Sequence, residues 1–195
     1  MADLGRARGP REVDHRWRLD ELPDNVEIGS DVVITGAKAF ARFFGERPTS
    51  LRIGDRSIMD GVRFGVSPHG RLRIGCDCTF SDAILLAEES VTIGDRVMLG
   101  WNTTVADSDF HPVEPTARRL DAEAISPLGD ERRRPPVMSR PVVIGSDTWI
   151  GPNAVVLKGV EIGPGCFVEP GSVVVNDVPA RRRVLGNPAA VVDEL

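Results

Sequence analysis

The chain has 195 residues, 24 Lys and Arg against 29 Asp and Glu, and a net charge of −5, which argues against a nucleic-acid or anionic-membrane binder. A hydrophobic content of 41% excludes wholesale disorder, no apolar run approaches the ~18 residues of a membrane span, and the N-terminal stretch lacks the apolar core of a secretory signal. Three cysteines suit a reducing cytoplasm better than a disulfide scaffold, and 5% aromatics with 20 Gly and 15 Pro describe a narrow interior with many corners.

In chain order, residues 1–27 form an N-terminal segment without a period. An aliphatic residue followed by Gly then recurs at Ile28-Gly29, Ile53-Gly54, Ile74-Gly75, Ile93-Gly94, Ile144-Gly145 and Ile162-Gly163. The last two steps lie 18 apart, and between and beyond them the aliphatic residue returns every six positions: Ile144, Ile150, Val156, Ile162, Val168, Val174. The fifth position of each hexad is small or β-branched: Thr148, Ala154, Val160, Cys166, Ser172 and Val178, with Val32, Ser57, Cys78, Ser90, Val97 and Thr103 in the same slot upstream. Larger spacings locate excursions near 40–48 and 67–70. The interval of 51 between Ile93 and Ile144 predicts a long inserted loop over 111–143, with a short helix at 116–124. Residues 179–195 are left as a C-terminal tail.

This period predicts an all-β parallel β-helix over 28–178, with three hexads to each 18-residue coil. Each side of the coil is a short strand that sends one large aliphatic and one small side chain inward. Each corner is a tight turn suited to Gly, Asp, Asn and Pro. Stacked coils bury their apolar residues against their neighbours.

The stretches VTIGDRVMLGWN…HP and SDTWIGPNAVVLKGVEIGPG…PGSVVVNDVP…GNPA resemble the hexapeptide-repeat acyltransferases, closest in motif to the galactoside and maltose acetyltransferases. The resemblance implies a left-handed coil; the general rule for parallel crossovers would give the opposite hand. It also implies a coenzyme A-dependent O-acyltransferase, most simply an acetyltransferase using acetyl-CoA, that acts on a hydroxyl of a sugar or sugar-like molecule. The assembly it implies is a homotrimer with active sites between subunits.

His111 occupies the position of the family's catalytic histidine, at the root of the long loop, where a rigid coil can hold a side chain for chemistry. Pro112 favours an extended backbone at His111. Acyl transfer to an alcohol needs a base as attack proceeds, and an imidazole, with an ordinary pKa of ~6.5, is suited to that task. A carboxylate on its other ring nitrogen would fix the tautomer. Asp109 and Asp107 are both candidates for this acid, and each also reads as a turn residue.

On the acceptor side, Glu88 matches the acid that holds sugar hydroxyls in the galactoside enzymes, with Asp82 and Asn102 nearby. The family's Asn on that coil is replaced by Phe80. On the donor side, Trp149, Gly151, Gly171 and Ser172 match positions along the acyl-pantetheine arm. Lys158 and the run Arg181, Arg182 and Arg183 are the cations available for coenzyme A phosphates. The family's Gly-Ala before Gly171 is Glu169-Pro170 here, and Pro170 cannot donate a backbone hydrogen bond.

No metal site is expected. Cys78 and Cys166 fall in interior slots, where a free Cys packs like Val or Ser. The gamma-class carbonic anhydrases, which share the coil, bind zinc with three histidines, but His15, His69 and His111 are not spaced to converge. Two other readings fit the same repeat: an N-acyltransferase for an amino sugar or antibiotic-type acceptor, and a non-catalytic β-helical subunit.

Overall fold

The computed structural model describes residues 22–195, so the N-terminal segment up to residue 21, with His15, lies outside the described residues. The chain winds about seven turns into three sheets of six, eight and six strands, each adding its strands in coil order and parallel throughout except for the last strand of the second. This is the left-handed parallel β-helix that the period and the resemblance imply.

The register shows why a period of six forms this coil. On the first sheet Ile28 lies beside Ile53, then Ile74, Ile93, Ile144 and Ile162, each pair directly opposite. On the second, the inward column runs Ile34, Met59, Phe80, Leu99, Ile150, Val168 and Val184. On the third it runs Phe64, Leu85, Val105, Val156 and Val174. All of these but Ile28, which is partly buried, lie in the buried core, and a fully buried Ile, Leu or Phe contributes about 1.5–3 kcal/mol. Phe80, where the family has Asn, is one of these core residues and is fully buried.

Several polar residues of the small interior slots donate to a carbonyl of a neighbouring coil. Ser57 Oγ donates to the Gly75 carbonyl at 3.1 Å, Thr103 Oγ1 to Gly151 at 3.0 Å, and Cys78 Sγ to Gly94 at 3.2 Å. The Ile-Gly glycines answer a different need. A Cβ on Gly75 would sit 2.6 Å from the Gly94 carbonyl carbon of the next coil, so the close stacking of corners requires a residue without one.

One corner of every coil needs a left-handed residue. Asp31, Arg56, Asp77, Arg96 and Asp147 occupy it on successive coils, all with φ between 54° and 62°. Asp suits this conformation and Arg does not, but the signs alternate up the stack. Arg56 forks onto Asp77 with two bonds of 2.7 Å, and Arg96 onto Asp147 at 2.6 and 2.8 Å. These guanidinium groups hold the Asp77 and Asp147 carboxyls below the usual carboxylate range.

The coil begins at Val26–Ile28, two residues ahead of the expected start. The expected tail is instead a hairpin. Arg182–Gly186 pairs in parallel with Phe167–Val168 and antiparallel with Ala189–Glu194, which extends the second sheet. Among the described residues, no helix is long and apolar enough to cross a membrane, and no group of three or more His, Cys, Asp and Glu is placed to hold a metal ion.

Candidate active site

The chain leaves the coil after the strand Thr104–Ala106 and returns at Val142–Ile144. It does so through a neck: Asp109 N–H donates to the Met138 carbonyl at 3.1 Å, Arg140 N–H donates to the Asp107 carbonyl at 2.8 Å, and Ser108 bridges Ser139. Both limbs of the loop are therefore fixed where they meet the coil. The helix expected at 116–124 forms as Pro115–Ala124. Glu114 caps it by accepting from the Thr116 and Ala117 N–H groups at 2.8 and 2.6 Å. Pro115 sits in the first turn, where its missing N–H costs nothing. Asp121 and Ala124 are its buried residues.

His111 stands just past the neck and presents a half-exposed ring. Its N–H donates to the Asp109 carbonyl at 2.6 Å across Phe110, whose φ is 63°. A bond spanning two positions around a non-glycine residue of positive φ is a strained turn, and such strain persists only where neighbours enforce it. The ring's Nδ1 lies 2.5 Å from Asp121 Oδ2, and the Asp121 carboxylate is fully buried. The other carboxylate oxygen, Oδ1, accepts from Arg134 Nε at 2.7 Å, and Arg134 Nη2 donates to the Phe110 carbonyl at 3.1 Å. Burial pushes the Asp121 carboxyl up, but the hydrogen bonds from Arg134 and His111 outweigh it and leave the group below the usual range.

The two acids expected beside His111 are engaged elsewhere. Asp107 is fully buried and accepts the N–H groups of Glu88, Glu89 and Ser90 at 2.7, 2.7 and 2.6 Å, which closes the corner between two sheets. Burial raises its carboxyl against the pull of those three donors. Asp109 forms an ion pair with Lys158 that ties the loop root to the coil corner after Val155–Val156. The histidine's acid is Asp121, which sequence reasoning passed over. A signal was available: an Asp on the face of a short helix shared with Ala124 is a charge placed where burial is expected.

Glu88 is half-buried, and no side-chain hydrogen bond to it is formed among the described residues. Burial raises its carboxyl, opposed by the charges of Arg134 and His69 and reinforced by Asp107 and Asp121, so it shares the electrostatic neighbourhood of the histidine pair. Asp82 and Asn102 do not. Both are exposed residues of positive φ, 48° and 58°, at the corner on the opposite edge of the third sheet, where they make the turn.

On the donor side, Trp149 faces outward from the second sheet and packs on Phe167 with ring centroids 4.3 Å apart. Gly171, φ 72°, has open space where a side chain would project. Gly151 and Ser172 belong to the coil: a Cβ on Gly151 would meet the Pro170 nitrogen at 2.6 Å, and Ser172 is fully buried. The expected phosphate cations are all paired. Lys158 is on Asp109, Arg181 on the Leu195 carbonyl, Arg182 on Glu194, and Arg183 on Glu169 and Asp193. The arginine run thus fastens the C-terminal hairpin.

Residues 141–176 match the family model described as bacterial transferase hexapeptide (six repeats). A Schizosaccharomyces pombe protein that bears an acetyltransferase name is 31% identical over 61% of this chain and 48% of its own length. A 2,3,4,5-tetrahydropyridine-2,6-dicarboxylate N-acetyltransferase of Staphylococcus aureus is 46% identical over 30% of this chain and 25% of its own. The chain thus spans between a quarter and a half of these curated relatives. Among solved structures, a variant of AntD, an N-acyltransferase from Bacillus cereus in complex with dTDP-4-amino-4,6-dideoxyglucose and coenzyme A, has a TM-score of 0.66 at 19% identity, covering 92% of this chain and 90% of that one. A maltose O-acetyltransferase from Clostridium difficile has a TM-score of 0.51 at 20% identity, covering 89% and 68%. At these identities the structures share the fold. The period of six and the three-sided coil agree with the matched repeat: residues 141–176 carry the bacterial transferase hexapeptide repeat, on the coil fold that these solved structures share.

Proposed function

We propose that the chain is an acyl-CoA-dependent acyltransferase that moves an acyl group, most simply acetyl, to a hydroxyl of a sugar or sugar-like acceptor, with His111 as general base. The 2.5 Å contact between His111 and the buried Asp121 carries this reading. A histidine whose Nδ1 is committed to a buried carboxylate keeps its tautomer fixed and offers Nε2 to a substrate. Nε2 takes the acceptor's proton as its oxygen attacks the thioester carbonyl. The tetrahedral intermediate then collapses, the C–S bond breaks, and the imidazolium returns the proton to the departing thiolate. The products are an ester and free coenzyme A, with no covalent enzyme intermediate. Asp121 stabilises the imidazolium between the two steps.

Glu88 is the acceptor-binding group best supported by its surroundings, since its carboxylate is half-buried beside the histidine pair and uncommitted. The open flank of Gly171 and the outward ring of Trp149 suit the pantetheine arm. Coenzyme A phosphates would draw on cations that now hold the hairpin, and Arg183 is the most exposed of those bound to acids there. An outward column on the second sheet, Ile58, Thr79, Met98, Trp149 and Phe167, is apolar save for one threonine and supports assembly into the family's trimer.

An amine acceptor is the second reading, favoured by the N-acetyltransferase name of the Staphylococcus aureus relative and by the AntD likeness across 90% of that chain. Both readings are tested by measuring thiol release from acetyl-CoA with hydroxyl and amino sugars, free and nucleotide-linked. Release with hydroxyl acceptors is expected. Transfer confined to amines replaces the first reading by the second, and absence of both release and coenzyme A binding overturns the enzyme.

A further inference from the structure

We propose that Arg134 is the positioning residue of this site: its guanidinium holds the Asp121 carboxylate for His111 and clamps the strained turn at Phe110 that aims the ring. This rests on His111 being the base. Three observations carry it. Arg134 reaches Asp121 Oδ1 at 2.7 Å with Nε and the Phe110 carbonyl at 3.1 Å with Nη2, so one planar group fixes both the acid and the residue before the histidine. Arg134 comes from the returning limb of the loop, 13 positions past Asp121, and thereby closes the loop over its own helix. The side chain is largely buried, 28% exposed, and pairs with a carboxylate that is wholly so.

The charges around the pair define what Arg134 must do. Asp121 comes from the helix, while Glu88 and Asp107 bring two more carboxylates from the coil, and the charge of His69 on the preceding coil acts weakly on Glu88. Lys158 is neutralised by Asp109 and sits at the loop root. Arg134 is the cation hydrogen-bonded into this cluster. Without it, the Asp121 carboxylate would act unbalanced on the imidazole it touches and favour the protonated form, which cannot accept a proton. With it, the negative field of Asp121 is partly balanced, and the carboxylate keeps its geometry. Lysine can supply the charge but not the two-pronged contact.

The test compares Arg134→Gln and Arg134→Lys by pH–rate profiles of kcat and kcat/KM, using acetyl-CoA and the sugar that gives the fastest thiol release with the unaltered protein. Arg134→Gln is expected to lower kcat by about 10–100-fold and to move the acidic limb of kcat/KM upward by roughly one pH unit, with KM for acetyl-CoA within about threefold. Arg134→Lys is expected to keep the limb near its original pH while kcat stays reduced. Thermal unfolding of both variants checks that the coil persists. A limb that stays in place in Arg134→Gln, or one that moves equally in both variants, overturns the proposal. Failure of the underlying reading is separate, because His111→Ala would then retain turnover whatever Arg134 does.

Discussion

On the coil, each buried side chain meets its counterpart one turn away in fixed register, Ile53 beside Ile74 and Ile74 beside Ile93. On the loop, His111 meets an acid 10 positions on, and that acid meets an arginine 13 further, with no period linking them. The first arrangement is redundant. Every rung repeats the same packing, so tolerance is spread over many residues, and stability is a sum over neighbouring coils. The second is a chain of single contacts, each without a substitute. Damage to the coil is therefore a matter of stability, and damage to the loop a matter of chemistry.

Two aspartates on either side of the neck sharpen this contrast, because the same substitution should act on them in different ways. Asp121→Asn breaks the loop's chain. The amide cannot match an anion in stabilising an imidazolium, and it must present a donor to either His111 or Arg134. A fall in kcat of about 10²-fold or more is expected, with the melting temperature nearly unchanged, read by steady-state kinetics and calorimetry. An intact rate would break the distinction at its strongest point. Asp107→Asn strikes the coil corner. One carboxamide oxygen cannot serve three backbone N–H groups, and its own N–H₂ would oppose at least one of them. Denaturant unfolding should show a loss of about 2–3 kcal/mol, with the rate per folded molecule falling much less than in Asp121→Asn. A loss of rate without a loss of stability would return Asp107 to the chemistry.

These differences also explain what the sequence disclosed. The coil was legible because its physics is periodic: the same slot recurs every six residues, so Cys78 and Cys166 could be placed before any coordinates, whereas Phe80, read on the acceptor side, is core. His111 was legible as a histidine where the period stops, and the helix by its composition. Its acid was not, because proximity in sequence favoured Asp107 and Asp109, whereas burial on a helix face brought in Asp121. The cations failed for the same reason. Lys158 and the run 181–183 read as free positive charge, but the acids that hold them, Asp109, Glu169, Asp193 and Glu194, meet them only through the neck and the hairpin. Pairing between aperiodic segments leaves no pattern in the chain.

The most direct measurement takes His111→Ala and records its turnover with acetyl-CoA together with its affinity for coenzyme A by calorimetry. Removing a base that acts only on the acceptor's proton should reduce turnover by ~10²–10⁴-fold while coenzyme A binds as before. Turnover equal to that of the unaltered protein would contradict the account, since a group that acts as base cannot be dispensable for the reaction.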